Sequence, residues 1–314
     1  MLKQLLLPAV AAAAVSSAAA CPIQEAVLSE AAKQIQQLYI IPDEARRIAE
    51  DLRQMAASGR FAAQCANREQ FAKDVEAELD RRDPHFRFEV TSAAAPDMQQ
   101  STAQWLAKSA EQNAGVREAR VLDGRIAYIR VSSFYGAAEM RPKLDAAFAL
   151  VAGSRALILD LRRNNGGDGE GAGVLAGKIL TPGAKPALAL ETRAGRAIEP
   201  PPQSDPARFD ETKPIAILID RRTASAAEWQ AFNAQATGRA RIIGDRSFGA
   251  AHLIGDPVRL AHGYSLSIPD ARPVSIATGK SWERVGVTPD IPGGDDPIYT
   301  AMRALEADLA SVRR

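Results

Sequence analysis

The chain has 314 residues, room for one large domain or two modest ones. Its composition, 46% hydrophobic and 25% charged, is that of an ordinary soluble globular protein. Its 39 basic and 38 acidic residues leave a net charge of +1, so there is no electrostatic case for nucleic acid or an anionic membrane surface as a partner.

The N-terminus, MLKQLLLPAVAAAAVSSAAAC, reads as a targeting segment. It has Lys3, a short apolar stretch and the small-residue pattern Ala18-Ala19-Ala20, which places a signal peptide over residues 1–20 and sends the mature chain to the periplasm or the extracellular space. The segment is too short and too alanine-rich to span a membrane. The two cysteines, Cys21 and Cys65, suggest one disulfide in an exported protein. The alternative is lipidation of Cys21 as the first mature residue, which would be the only route to a membrane. Neither cysteine has a spacing that suggests zinc, and no metal or cofactor is expected.

Residues 24–81 read as helical. LSEAAKQIQQLY and PDEARRIAEDLRQMAASG carry apolar positions at three- and four-residue spacing, with Pro42 opening the second helix and Gly59 closing it. A third helix runs through REQFAKDVEAELDRR, and DPHFRFEV turns and begins to alternate like a strand. Residues 21–92 are therefore expected to form a small helical domain. Residues 93–117 are expected to be a linker with a short helix around Trp105.

From residue 118 onward strands and helices alternate, which argues for a layered α/β core over 118–314. RIAYIRV, ALILDL, ALALETR, IAILID, RIIGD and YSLSIP read as strands. MRPKLDAAFALVA, EGAGVLAGKIL, the segment after Ser225 and DPIYTAMRALEADLA read as helices. The proline-rich stretch 199–214 reads as an exposed loop. There are no internal repeats and no heptads, and nothing in the pattern sets an oligomeric state.

Four stretches carry chemistry. In LILDLRRNNGGDGEGAG a buried strand ends in Asp160 and opens into Asn164-Asn165-Gly166-Gly167, where glycines allow positive φ and close backbone approach. It is not a phosphate loop, because no Gly-Lys-Ser/Thr follows. In PIAILIDRRTASAAEWQAF the strand Ile215 to Ile219 turns into a helix at Ser225. Ser225-Ala-Ala-Glu228 fits a capping box, yet a serine at that junction is also well placed as a nucleophile, with the Ala226 N–H and the helix dipole beside it. GRARIIGDRSFGAAH is a strand followed by a glycine turn. SWERVGVTPDI carries Glu283 in an otherwise apolar, glycine-containing stretch.

In this order the four stretches resemble the tricorn and C-terminal-processing family of serine peptidases, over roughly residues 118–295. DPHF and the missing room for a PDZ insert are similar to the branch related to interphotoreceptor retinoid-binding protein. The resemblance implies a ClpP/crotonase-like layered α/β core, with Ser225 as nucleophile and an oxyanion hole from Ala226 N–H with Gly166 or Gly167 N–H. The lysine base of the bacterial branch falls on Ala250 here, and neither Lys178 nor Lys280 matches the pattern. The tricorn branch implies His85 as base and Glu283 as the carboxylate that holds its tautomer, although Pro84 stands where those enzymes have a serine. His252 is the rival base, and His262 reads as a hairpin residue. Asp160 and Arg162 read as structural, and Asp83 is a further carboxylate that could orient His85.

The resulting expectation is an exported serine peptidase acting on peptides or unfolded protein. A binding module for an apolar ligand or peptide on the same fold is the alternative. A crotonase-type enzyme would need a coenzyme A site, and no basic cluster suggests one.

Overall fold

The computed structural model describes residues 21–91, 98–181, 183, 185–201 and 203–311. The expected signal peptide lies outside the described residues. Three helices come first: α1 (Pro22–Leu38), α2 (Pro42–Ala57) and α3 (Arg68–Asp80), followed by strand β1 (Arg87–Val90). Pro22 and Pro42 sit at helix starts, where the missing N–H is not needed. Asn67 caps α3 by accepting from the Gln70 N–H at 3.0 Å. Cys21 and Cys65 form a disulfide with a Cα–Cα distance of 5.8 Å, tying the start of α1 to the turn before α3.

After α4 (Met98–Glu111) the chain enters its main sheet. Its strands are β2 (Val116–Leu122), β3 (Ile126–Val131), β4 (Ala156–Asp160), β7 (Ile215–Ile219), β8 (Arg241–Gly244) and β13 (Ile291–Pro292). The order across the sheet is β13-β8-β7-β4-β3-β2, with only β2 antiparallel to its neighbour. Helices α5 (Ala137–Val151), α6 (Gly169–Ile179), α7 (Ala226–Ala236) and α8 (Pro297–Ser311) cover it. Ile129, Leu157, Leu159, Ile215 and Ile217 pack with α5, α6 and α7. Tyr128, Ile158, Ala216 and Leu218 pack on the other face with Ala301 and Leu305 of α8. Burial on both faces explains why β4 and β7 read as unbroken apolar runs.

A second sheet has the order β6-β5-β12-β9, built from β5 (Leu188–Thr192), β6 (Gly195–Ile198), β9 (Leu253–Ile254) and β12 (Pro269–Ser275). A third pairs β1 with β11 (Tyr264–Ser267) and β10 (Val258–Leu260). His262 sits at positive φ in the turn between β10 and β11. Leu260, Tyr264, Leu266 and Ile268 complete the core of the N-terminal helices, so that core is closed by a hairpin from late in the chain. The sequence reading ends its strand at Pro269, yet β12 continues through Pro273. Strand β9 reaches only Pro269 and Ala271, so Pro273 lies where one flank of β12 is open and a missing N–H is tolerated.

Two buried charged groups fix loops to this frame. Asp160, fully buried, accepts from Arg162 Nε and Nη2 at 2.9 and 2.6 Å and from the Tyr128 hydroxyl at 2.7 Å. Lys178, also fully buried, pairs with Asp145 and, at 2.8 Å, with Asp205. Burial pushes the Asp205 carboxyl up, but the hydrogen bonds from Lys178 and the Ala207 N–H outweigh it and hold the group below its ordinary range.

Replacing Cys65 by Ser should lower stability by about 4 kcal/mol, the loop-closure entropy of a bridge spanning 44 residues, read as a drop in denaturant midpoint. A depressed folded pKa at Asp205 means stabilisation that is full above the ordinary carboxylate pKa of about 4 and is lost as pH falls through the folded value. Asp205→Asn should therefore destabilise the chain near neutrality and flatten the acid limb of its stability profile, measured by urea unfolding across pH.

Candidate active site

The carboxyl ends of β4, β7 and β8 open on the same edge of the main sheet, where α/β sheets place their ligands. The loop after β4 carries the glycines. Asn164 is fully buried and fixes it: its Nδ2 donates to Val131 O at 3.0 Å and its Oδ1 accepts from the Gly166 N–H at 2.8 Å. The Asn164 carbonyl accepts from the Ala224 N–H at 2.9 Å, binding this loop to the turn after β7. Gly166 has φ 95°, and a Cβ there would stand 2.7 Å from Ser225 Cβ and 3.0 Å from the Ala226 nitrogen. Gly167 forms a parallel bridge with Phe134. Glycine is required at both positions by close approach.

Ser225 follows a turn in which the Thr223 hydroxyl donates to Leu161 O at 3.0 Å and accepts from the Asp220 N–H at 2.9 Å. Its backbone has φ 54° and ψ −124°, far from the extended conformation of an ordinary N-cap. The capping box read from the sequence forms, with the Ser225 N–H donating to Glu228 Oε2 at 2.9 Å. A non-glycine residue at this conformation is strained, and the serine is half-buried rather than sealed off.

Glu228 does more than cap. Fully buried, it also accepts from the Ser247 hydroxyl at 2.5 Å and from the Gly249 and Ala250 N–H groups at 2.6 and 2.8 Å. Burial pushes its carboxyl up, and these four donors pull it back only in part. One carboxylate thereby holds the loop 247–250 against the serine turn. Ala250 occupies the position of the expected lysine. Lys178 is committed to Asp145 and Asp205, and Lys280 is exposed.

The same loop ends in His252, which meets the N-terminal helical region. Asp83 is buried between two imidazoles: Oδ1 lies 2.7 Å from His85 Nδ1 and Oδ2 lies 2.6 Å from His252 Nδ1. The Tyr39 hydroxyl donates to Oδ2 at 3.0 Å, and the His85 N–H donates to Oδ1 at 2.9 Å. Burial pushes Asp83 up, but the hydrogen bonds from His252 and His85 outweigh it and hold the carboxyl well below the usual carboxylate range. Burial and the adjacent Asp83 push the Tyr39 phenol well above its usual range, so it remains a donor. Glu283 accepts from the Ala251 and His252 N–H groups at 2.7 and 3.1 Å through Oε2.

The site residues fall into two groups joined by the loop 247–252. Ser225, Ala226 and Gly166 are in contact with one another, while His85, His252 and Glu283 gather around Asp83 with polar atoms within 4.8 Å of each other. The carboxylate on the Nδ1 of His85 is Asp83, whereas the hydrogen bonds of Glu283 go to the backbone of the loop carrying His252. The Gly166 N–H is committed to Asn164, which leaves Gly167 and Ala226 as candidate oxyanion donors. Sequence reasoning gave Asn164 no role and passed over Tyr39 and Ser247. The Asp-Pro-His run was the one local signal for Asp83.

The pattern of Peptidase family S41 matches residues 125–292, more than half of the chain. A chloroplastic C-terminal processing peptidase from Tetradesmus obliquus is 31% identical over 193 residues, 59% of this chain and 40% of that protein. A carboxyl-terminal-processing protease from a Picosynechococcus strain is 31% identical over 96 residues, 31% of this chain and 23% of that protein. The chain thus spans less than half the length of these relatives. Among solved structures, the photosystem II D1 C-terminal processing protease is similar with a TM-score of 0.57 at 17% identity, covering 90% of this chain and 97% of that one. A lipoprotein from Streptococcus agalactiae gives a TM-score of 0.61 at 17% identity, covering 98% and 99%. The tricorn protease gives 0.54 at 15% identity, covering 91% of this chain and 37% of that one. At these identities the structural likeness is one of fold, a mixed α/β core with a helical N-terminal region; with the sequence match, it means that the chain belongs to peptidase family S41.

Proposed function

We propose that this chain is an exported serine peptidase that cleaves peptides or exposed protein termini, with Ser225 as its nucleophile. The observation that carries the reading is the backbone of Ser225. Its φ of 54° and ψ of −124° at a strand-to-helix junction is a strained conformation that a plain helix cap does not need. Such a turn lifts a serine hydroxyl out of the sheet edge and aims the following N–H at a carbonyl oxygen. The Ala226 N–H at the start of α7 and the Gly167 N–H are the oxyanion donors, helped by the positive end of the helix.

His85 is the general base in this reading. Its Nδ1 bond to Asp83 sets the tautomer that leaves Nε2 free to take the serine proton and return it to the leaving amine. Asp83, held ionised, stabilises the imidazolium. Glu283 fixes the loop between the two groups of residues. His252 is the second reading for the base, favoured by its place on the loop that Glu228 holds against Ser225 and by a buried Nε2 with no hydrogen-bond partner. The leader sequence and the Cys21–Cys65 bridge support export, since disulfides persist in oxidising compartments. No helix among the described residues is long and apolar enough to cross a membrane.

Ser225→Ala should cut hydrolysis of an unstructured peptide by at least about 1,000-fold with an unchanged circular dichroism spectrum. Equal turnover by the variant and the wild type sinks the peptidase reading. His85→Ala should match that loss, while His252→Ala should cost much less; the reverse order hands the base to His252. Gly166→Ala should lower kcat by at least about tenfold, because its Cβ cannot enter without displacing Ser225, and steady-state kinetics would read this directly.

A further inference from the structure

The Asp83 cluster has a property that the peptidase reading does not use. One ligand atom from each of Asp83, His85, His252 and Glu283 lies within 4.8 Å of one from each of the others. Two of the available atoms are buried and have no hydrogen-bond partner, His252 Nε2 and Glu283 Oε1. Such orphaned atoms call for an explanation. Both imidazoles turn Nδ1 toward one carboxylate, which is how metal-binding histidines are oriented, the second nitrogen being left for the ion. Among the described residues, no lysine or arginine forms an ion pair with Asp83 or Glu283; their hydrogen-bond partners are imidazoles, the Tyr39 hydroxyl and backbone N–H groups.

We propose that His85, His252 and Glu283 form a binding site for one zinc ion, oriented by Asp83, and that zinc held there is a reversible inhibitor of the peptidase. Two imidazole nitrogens and a carboxylate oxygen are a donor set suited to zinc, with a water completing the tetrahedron. Tetrahedral bonds of about 2.0–2.1 Å need ligand atoms roughly 3.4 Å apart, so the side chains close in from the 4.8 Å spacing of the cluster as the ion binds. His85 and Glu283 are half-buried rather than sealed in the core. The ion neutralises the two carboxylates. It also occupies the lone pairs of both imidazoles, and whichever histidine serves as base then cannot accept the serine proton. The inhibition rests on the proposed peptidase activity; the binding does not.

The test is calorimetric titration of zinc chloride into metal-stripped full-length protein, run in parallel on Ser225→Ala. Both should bind one zinc with a dissociation constant in the micromolar range or tighter, and cobalt should give the visible absorption of a tetrahedral site. Asp83→Asn should weaken zinc by 10- to 100-fold, as loss of an orienting carboxylate does. His252→Ala combined with Glu283→Gln should abolish binding, and His262→Ala should leave it unchanged. If the double variant does not fold, Glu283→Gln alone with the cobalt spectrum decides. Peptide turnover by the wild type should fall at least tenfold with the same zinc midpoint and recover with EDTA. Absence of saturable binding below about 100 µM, or wild-type affinity in the folded variants, overturns the site. Binding that leaves turnover unchanged overturns the inhibition, whereas a wild type that cleaves nothing overturns the peptidase reading while zinc binding by Ser225→Ala still reports on the site.

Discussion

Asp83 is the constraint around which the rest of the site is arranged. A carboxylate this deeply buried would ordinarily take up a proton, since desolvation disfavours its charge. Here donors from three parts of the chain converge on it, two of them distant: Tyr39 after α1 and His252 from beyond β8, with His85 two residues on. Their hydrogen bonds keep it ionised. Because His252 reaches it from the core and Tyr39 and His85 from the helical region, the same carboxylate sets the relative position of the two. A buried charge satisfied from both sides resists any shift between them, because breaking either contact leaves it unpaired.

The serine side depends on Asn164 and Glu228. Asn164 anchors the glycine loop to β3 and to the turn before Ser225. Glu228 gathers the Ser225 N–H, the Ser247 hydroxyl and two N–H groups of the following loop. Neither side chain need touch a substrate. Their effect is to hold the strained serine backbone in place, which is what allows a conformation outside the common regions to persist. Capping the helix is therefore compatible with the proposed role of Ser225 as nucleophile: Glu228 stabilises the turn that carries it.

Much of this was legible in the sequence. The continuous apolar runs of β4 and β7, the proline-started helices and the serine at a strand-to-helix junction all follow from local pattern, and Ala250 marks the missing lysine. What local pattern could not carry was pairing at long range. Strand β1 pairs with β11, some 175 residues further on, and β12 continues through Pro273 because its neighbour β9 stops short of it. The assignment of Glu283 to the imidazole came from resemblance; in this chain Asp83 lies on both Nδ1 atoms, two residues from one of the histidines it orients. Glu228 was visible as a capping residue, but its hold on Ser247 and on the loop to Ala250 depends on a turn whose direction no periodicity reports.

The proposed use of a histidine from the helical region, in place of a lysine on the serine's own side of the site, would have a structural consequence. A lysine at position 250 would sit on the loop that Glu228 already fixes, and the core alone could supply nucleophile and base. With His85 as base, the chemistry depends on how α1, α2 and α3 pack against the hairpin of β10 and β11 and on the disulfide that closes α1. In that reading, stability of the helical region and competence of the site become one property: opening of the N-terminal core would carry Asp83 and His85 away from His252 and the loop that Glu228 holds against Ser225, because local opening follows the weakest cooperative unit.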